Sequence, residues 1–426
     1  MNSEEFMNLV YLPNMHLYFG VLVVVIIIYL FLFRKLLKSI IDPTLFAVLN
    51  LSFAAAVPFF IYFAKACPKE LIVYFVLSQS IFICVFLFCV HKVDYKNIIS
   101  KKEAHDYDKN KFFFYICLGV FLFSTFYSWY INGIPIFNEN RFVINIDNSN
   151  GIIGLLGRFS KASSLFCILY VFYMFFHKRK KYASMLMLVL VGVFLMSGSK
   201  GFILIFVQAY FFYSVFYMGK LPRINKKYIP IIIVSPLIVI LLAGYASNFL
   251  DAISYWGYRL LANGDTYWNA YPYSVIDRVS VDNPILNITS VFWGPFRHLL
   301  GIDVNPKLFE PIGALLYEYN YGYYPYGGAP NSQLSIASYA CYKWGGLIMT
   351  GIMAFVGGQF FRHGYRCAPQ NIYFCCKRAL LVMIGLNVFG DIYLFFSAMF
   401  NFLLFIGLYK SVSVFYPFFY SRVNNK

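Results

Sequence analysis

Of the 426 residues, 60% are hydrophobic and only 12% are charged, and the formal net charge is +17 at neutral pH. Soluble domains carry roughly 45–50% apolar and about 25% charged residues, so this composition excludes a large soluble enzyme. The positive balance would suit nucleic acid, but the positions of the cations argue against that partner.

The apolar residues fall in long runs bounded by charge, at 17–33, 45–63, 71–90, 112–130, 159–176, 183–196, 202–218, 230–246, 345–361, 379–389 and 393–408. A bilayer core of about 30 Å takes about 20 helical residues to cross. Lipid offers no partner for a free amide, so such runs predict helices. The expected fold is an all-α polytopic integral membrane protein with about 11 transmembrane helices (10–12). Three parts follow: a membrane bundle of about eight helices over 1–246, a large loop with short helices over 247–331, and about three membrane helices with a short tail over 332–426.

With loops assigned to alternate sides, 24 of the 35 Lys and Arg fall on one side. The positive-inside rule makes that side cytoplasmic. The N-terminus is then periplasmic, the C-terminus cytoplasmic, and the long loop between helices 8 and 9 periplasmic. Glu4 and Glu5 stand where a signal peptide would be basic, so no cleaved leader is expected. The nine cysteines form no CxxC pair and sit in or beside apolar runs, as small buried hydrophobes do. No HExxH, histidine cluster or Walker loop occurs, so neither a metal nor another cofactor is expected.

The cations left on the outer side are the informative minority. Arg158 and Lys161 share one helix face at i and i+3, with no acid within ten positions of Arg158. Lys200 sits in the turn Ser197-Gly198-Ser199-Lys200-Gly201, where a cation could meet a phosphate or simply anchor at the interface. Arg259, Arg278 and Arg297 lie in the long loop among acids that include Asp265 and Asp277. Arginine suits phosphate and carboxylate, but for any single pair mutual pairing within the loop carries more weight. The loop also holds Trp256, Trp268, Trp293 and eleven tyrosines; these faces suit sugar rings, though interfaces enrich them without a ligand. His298 is a candidate general base, with a structural histidine the commoner reading. Asp391 is the only acid after Glu318 and lies near membrane depth.

Three stretches carry a resemblance. Gly133-Ile134-Pro135-Ile136-Phe137 with Arg141 downstream is similar to the Gly-Ile-Pro-Leu-Phe segment of the bacterial oligosaccharide repeat-unit polymerases, the Wzy-type O-antigen and capsule polymerases. The Ser197–Gly201 turn resembles that family's Gly-Ser-Arg turn, with Lys200 where arginine is usual. The run from Ala329-Pro330-Asn331-Ser332 to Trp344-Gly345-Gly346 looks like its entry into a late helix.

The resemblance implies a GT-C-like fold in the cell inner membrane and a metal-independent glycosyl transfer at its outer face. The substrates would be undecaprenyl-pyrophosphate-linked glycans. Membrane lipids, a chain-length regulator and a flippase would be its partners. Arg158, Arg141 and Lys200 would face the pyrophosphate leaving group, which needs fixed cations, with Lys161 assisting. Arg259, Arg278 and Arg297 would hold glycan or pyrophosphate, and Trp256 and Trp268 the sugars. A base, if used, would be His298, Asp265 or Asp277. The alternatives are an O-antigen ligase of similar architecture and, from another class, a flippase or transporter, which would want more polar residues in mid-helix.

Overall fold

The computed structural model describes residues 3–93, 99–103, 107–137, 151–177, 180–197, 202–222, 248–293, 306–325 and 329–424. Helix dominates. A lead-in of short helical turns from Ser3 runs into α1 (Met15–Phe33), followed by α2 (Pro43–Phe63), α3 (Lys69–Val90), α4 (Tyr107–Asn132), α5 (Gly151–Phe176), α6 (Lys180–Met196) and α7 (Phe202–Phe212). Residues 248–325 add the short helices α8 (Phe249–Leu261), α9 (Asp265–Ala270), α10 (Val275–Arg278), α11 (Pro284–Ile288) and α12 (Ile312–Tyr321). The chain then forms α13 (Leu334–Tyr342), α14 (Gly346–Gly364), α15 (Ile372–Asn387) and α16 (Ile392–Asn424).

Seven segments among the described residues are long and apolar enough to cross a membrane: Ser3–Phe33, Pro43–Phe63, Lys69–Val90, Asp108–Phe137, Gly154–Phe176, Leu334–Gly364 and Ile392–Pro417. The protein is therefore an all-α membrane protein. The sixth, seventh and tenth runs of the sequence fall on the shorter α6, α7 and α15. The eighth, at 230–246, lies outside the described residues. Large apolar side chains that face outward, such as Val23, Val24, Ile27 and Phe31 on α1, fit a lipid surface rather than water.

Helix starts follow from short polar side chains. The Thr44 N–H donates to Asp42 at 2.8 Å just ahead of Pro43 at N1, and the Tyr373 N–H donates to Asn371 at 2.8 Å. Asn248 and Asn283 cap α8 and α11 in the same way. Between them, α14 packs along α3 and α15, α5 along α4 and α16, and α1 along α2.

Contacts sort the loops onto two ends of the bundle. At the basic end, the strands Ile99–Glu103 and Ala368–Gln370 pair in parallel, and Asn110 Nδ2 donates to Asn371 at 3.0 Å. Ser39 Oγ donates to the Pro222 carbonyl at 2.8 Å there. At the opposite, loop end, Tyr321 bonds Ser3 and Tyr11 bonds the Ser254 carbonyl. Loops that charge alone assigns to one side thus meet one another. The two short strands are an element that the sequence analysis did not anticipate.

Part of the long loop, and the chain that follows it, descends into the bundle. Thr350 Oγ1 on α14 donates to Ser338 Oγ on α13 at 3.2 Å. Twelve residues of straight helix would set them about 18 Å apart. The chain therefore reverses between α13 and α14, at Lys343 with φ of 50°. Gly346 makes the hairpin tight, because a Cβ there would lie 2.2 Å from the Ser338 carbonyl oxygen. Ser78, midway along α3, joins Thr350 at 3.2 Å. Gly264 likewise abuts Ala54 and Val57 in the middle of α2. The segments around Asp265 and Ser332 therefore reach down between α2, α3 and α14.

Candidate functional site

The descending segments bring two carboxyls to opposite sides of one stretch of backbone. Asp391 lies between α15 and α16 and caps α16: the Tyr393 and Leu394 N–H groups donate to its Oδ1 at 2.6 and 3.2 Å. Its Oδ2 accepts from the Ser332 N–H at 2.8 Å, and the Ile392 N–H returns a bond to the Ser332 carbonyl at 3.2 Å. Asp265 opens α9 on the other side. Its neighbour Thr266 donates to the Asn331 carbonyl. Asp265 Oδ1 is buried and has no hydrogen-bond partner among the described residues.

Burial pushes the Asp265 carboxyl up to about 7, against the pull of the Thr266 and Asn331 backbone amides, and the Asp391 charge adds to the rise. Asp391 is pushed up to about 6 by burial, opposed by the three N–H groups it accepts from. Two carboxyls near neutral pKa, one with an unpartnered buried oxygen, are suited to holding or passing a proton near neutral pH.

The surrounding frame is closely fitted. Gly313 donates its N–H to Ser332 Oγ at 2.9 Å, and a Cβ at Gly313 would fall 2.0 Å from the Pro330 carbonyl oxygen. Gln333 Nε2 donates to the Asn263 carbonyl at 2.7 Å, and Tyr267 pairs with Ser335 at 2.6 Å. Tyr393 donates its hydroxyl to Asn287 and accepts the Ile312 N–H at 3.2 Å.

Arg158, on α5, faces the same helix α16. Its guanidinium donates to Ser397 and stands 6.0 Å from the Phe400 ring centroid. Ser397 follows Asp391 by six residues, about 9 Å of helix rise. Phe292 covers this stretch, with its ring 6.1 Å from Phe396 and 5.4 Å from Phe400. No ion pair joins Arg158 among the described residues. Lys161, one turn on, is exposed. Arg158, Asp391 and Asp265 are thus strung along the first turns of α16 and the Asn331–Ser332 backbone.

Other candidates lie elsewhere. Asp277 accepts from Lys343 Nζ at 3.1 Å and from the Tyr339 hydroxyl at 3.0 Å, so it ties α10 to the α13–α14 turn. Trp268 is buried in the core, its ring 5.1 Å from Phe6 and 6.3 Å from Tyr258. Trp256 is half-buried, and Arg259 and Arg278 are exposed. Arg141, Lys200, Arg297 and His298 lie outside the described residues. Among the described residues no group of three or more His, Cys, Asp or Glu could hold a metal.

Sequence reasoning singled out Asp391 and the Asn331–Ser332 stretch separately but not their junction. Ser397, Asn287 and Tyr393 carried no sequence signal of their own. No protein-family model, curated protein or solved structure matches the chain.

Proposed function

We propose that this protein is a repeat-unit polymerase, a glycosyltransferase that joins undecaprenyl-pyrophosphate-linked oligosaccharides at the periplasmic face of the inner membrane. The reading takes eleven crossings, with the basic end cytoplasmic. The observation that carries it is Arg158, a half-buried guanidinium without an acidic partner among the described residues, held against Ser397, six residues along α16 from the Asp391 cap. A cation kept free of carboxylate is suited to charge that develops during reaction, here on the departing pyrophosphate. An acceptor sugar hydroxyl attacks the donor's anomeric carbon, the bond to pyrophosphate breaks, and the hydroxyl proton passes to Asp265. Lys161, Arg141 and Lys200 are the further cations proposed for the leaving group, while Arg259, Arg278 and Arg297 would meet the glycan.

Deletion of the gene, followed by a gel of surface polysaccharide, tests the reading. Core carrying a single repeat unit is the expected pattern. Unsubstituted core with long glycan left on its lipid carrier would assign the chain as a ligase, and a normal ladder would end both readings.

A further inference from the structure

A second site lies at the basic end, away from Arg158 and the buried carboxyls. A cavity of about 570 Å³, open on one side, is enclosed by α14, α15, the turn between them and α16. Its walls are apolar, built by Phe355, Phe360, Leu381 and Phe402. Its rim is cationic: His363, Arg366, Lys377 and Arg378 line it, and among the described residues no acidic residue does. No Asp or Glu occurs anywhere from 319 to 390, so nothing local along the chain balances these charges.

The four basic groups are not equivalent. Arg378 is already placed, its Nε donating to the Gly364 carbonyl at 2.9 Å with its guanidinium over the Phe216 ring at 4.2 Å. His363 Nδ1 lies 2.7 Å from the Gln359 carbonyl oxygen, which leaves Nε2 as the ring's other polar atom. Arg366 is exposed and Lys377 half-buried, so both are available to a ligand. On α14, Ile348, Ile352 and Phe355 form an exposed apolar stripe at i, i+4 and i+7 that runs to the cavity. Such a stripe fits lipid, so the mouth of the cavity opens toward acyl chains.

We infer that this groove binds one anionic glycerophospholipid from the leaflet at the basic end, its phosphate between Arg366 and Lys377 and the start of an acyl chain against Phe355, Phe360 and Phe402. An apolar slot with a cationic rim and no acid matches a phosphate joined to hydrocarbon. A free phosphate would have no use for the apolar walls, and a zwitterionic headgroup would bring its own cation against the rim.

The test uses the full chain released from detergent in native mass spectrometry. It is supplied with phosphatidylglycerol, with phosphatidylcholine of the same chains, or with phosphatidylglycerol plus inorganic phosphate. Phosphatidylglycerol should be retained about tenfold better than phosphatidylcholine. The double variant Arg366→Gln/Lys377→Gln should fall to the phosphatidylcholine level, while Lys410→Gln, another exposed cation outside the groove, should not change. Phe402→Trp keeps every charge but fills the slot, and it should also lose the lipid. Equal retention of the two lipids, displacement by inorganic phosphate, or full retention in Phe402→Trp would each overturn the assignment, whether or not the double variant folds.

Discussion

Arg158 and Arg378 are both arginines withdrawn from water near the ends of membrane helices, yet their surroundings differ. Arg378 is buried, donates to a backbone carbonyl and lies flat over a phenyl ring. Its carbonyl partner, Gly364, ends α14, where a cation also meets the negative end of the helix dipole. Arg158 rests on one serine hydroxyl and over the Phe400 ring, beneath a loop, with no carboxylate joined to it among the described residues. The first guanidinium joins α15 to the end of α14. The second keeps most of its five donors for something else.

The largest expected effects break this comparison. Arg158→Ala should cut long-chain glycan by about a hundredfold or more, the scale of losing one charge-stabilising group in a reaction, while protein abundance in the membrane stays normal. Arg378→Met should do the reverse. It orphans the Gly364 carbonyl at a cost of about 1–3 kcal/mol, read as lower melting temperature and yield, with the activity per folded molecule kept. Normal chain-length ladders in Arg158→Ala would remove its catalytic role.

The next effect concerns packing at the loop end. Gly313→Ala drives a Cβ into the Pro330 carbonyl, which must move along with Ser332. A loss of about 1–3 kcal/mol is expected from such overpacking, and activity should fall with it because Ser332 positions Asp391. A melting curve unchanged from wild type would mean that the 330–332 backbone is looser than the contacts imply.

A pH scan sharpens the contrast further. Asp265 has a folded pKa of about 7 against an ordinary value of 3.8. A raised carboxyl pKa means that the folded state holds its proton more tightly than the unfolded chain. Its contribution is therefore fully present below about pH 4 and is lost as pH rises through 7. Thermal stability should decline across that window by a total on the order of 4 kcal/mol from this group. Asp265→Asn should remove this share of the decline and leave the part that Asp391, with its folded value of about 6, contributes. An equally steep decline in Asp265→Asn would show that other groups dominate.

Much of this was legible in the sequence because the relevant physics is local. Apolar runs of 17 residues or more mark helices wherever they occur. Arg158 stood out through its unbalanced charge, and Asp391 through its isolation. What the sequence hid depends on residues far apart in the chain. Asn287 meets Tyr393 across 106 positions and Arg158 meets Ser397 across 239. Trp268 reads as a candidate sugar platform until its stacking on Phe6 is known. The sequence starts its late apolar run at 345, after Lys343, but nothing in it shows that α13 folds back along α14.

That reversal supplies the smallest and most discriminating test. Lys343 adopts φ of 50°, a left-handed value that strains a lysine, and its ammonium pairs with Asp277 across an exposed surface. An exposed pair contributes about 0–1 kcal/mol, while a non-glycine residue in such a conformation costs about 1–3 kcal/mol. The backbone term should win. Lys343→Gly loses the pair but relieves the strain, so it should match or slightly exceed wild-type stability. Lys343→Ala loses the pair and keeps the strain, so it should melt below the glycine variant. Asp277→Asn, which touches only the pair and the Tyr339 hydrogen bond, should cost less than about 1 kcal/mol. If the glycine and alanine variants melt together, the turn is not strained at that residue. The tight return of α14 against α13 would then rest on Gly346 alone.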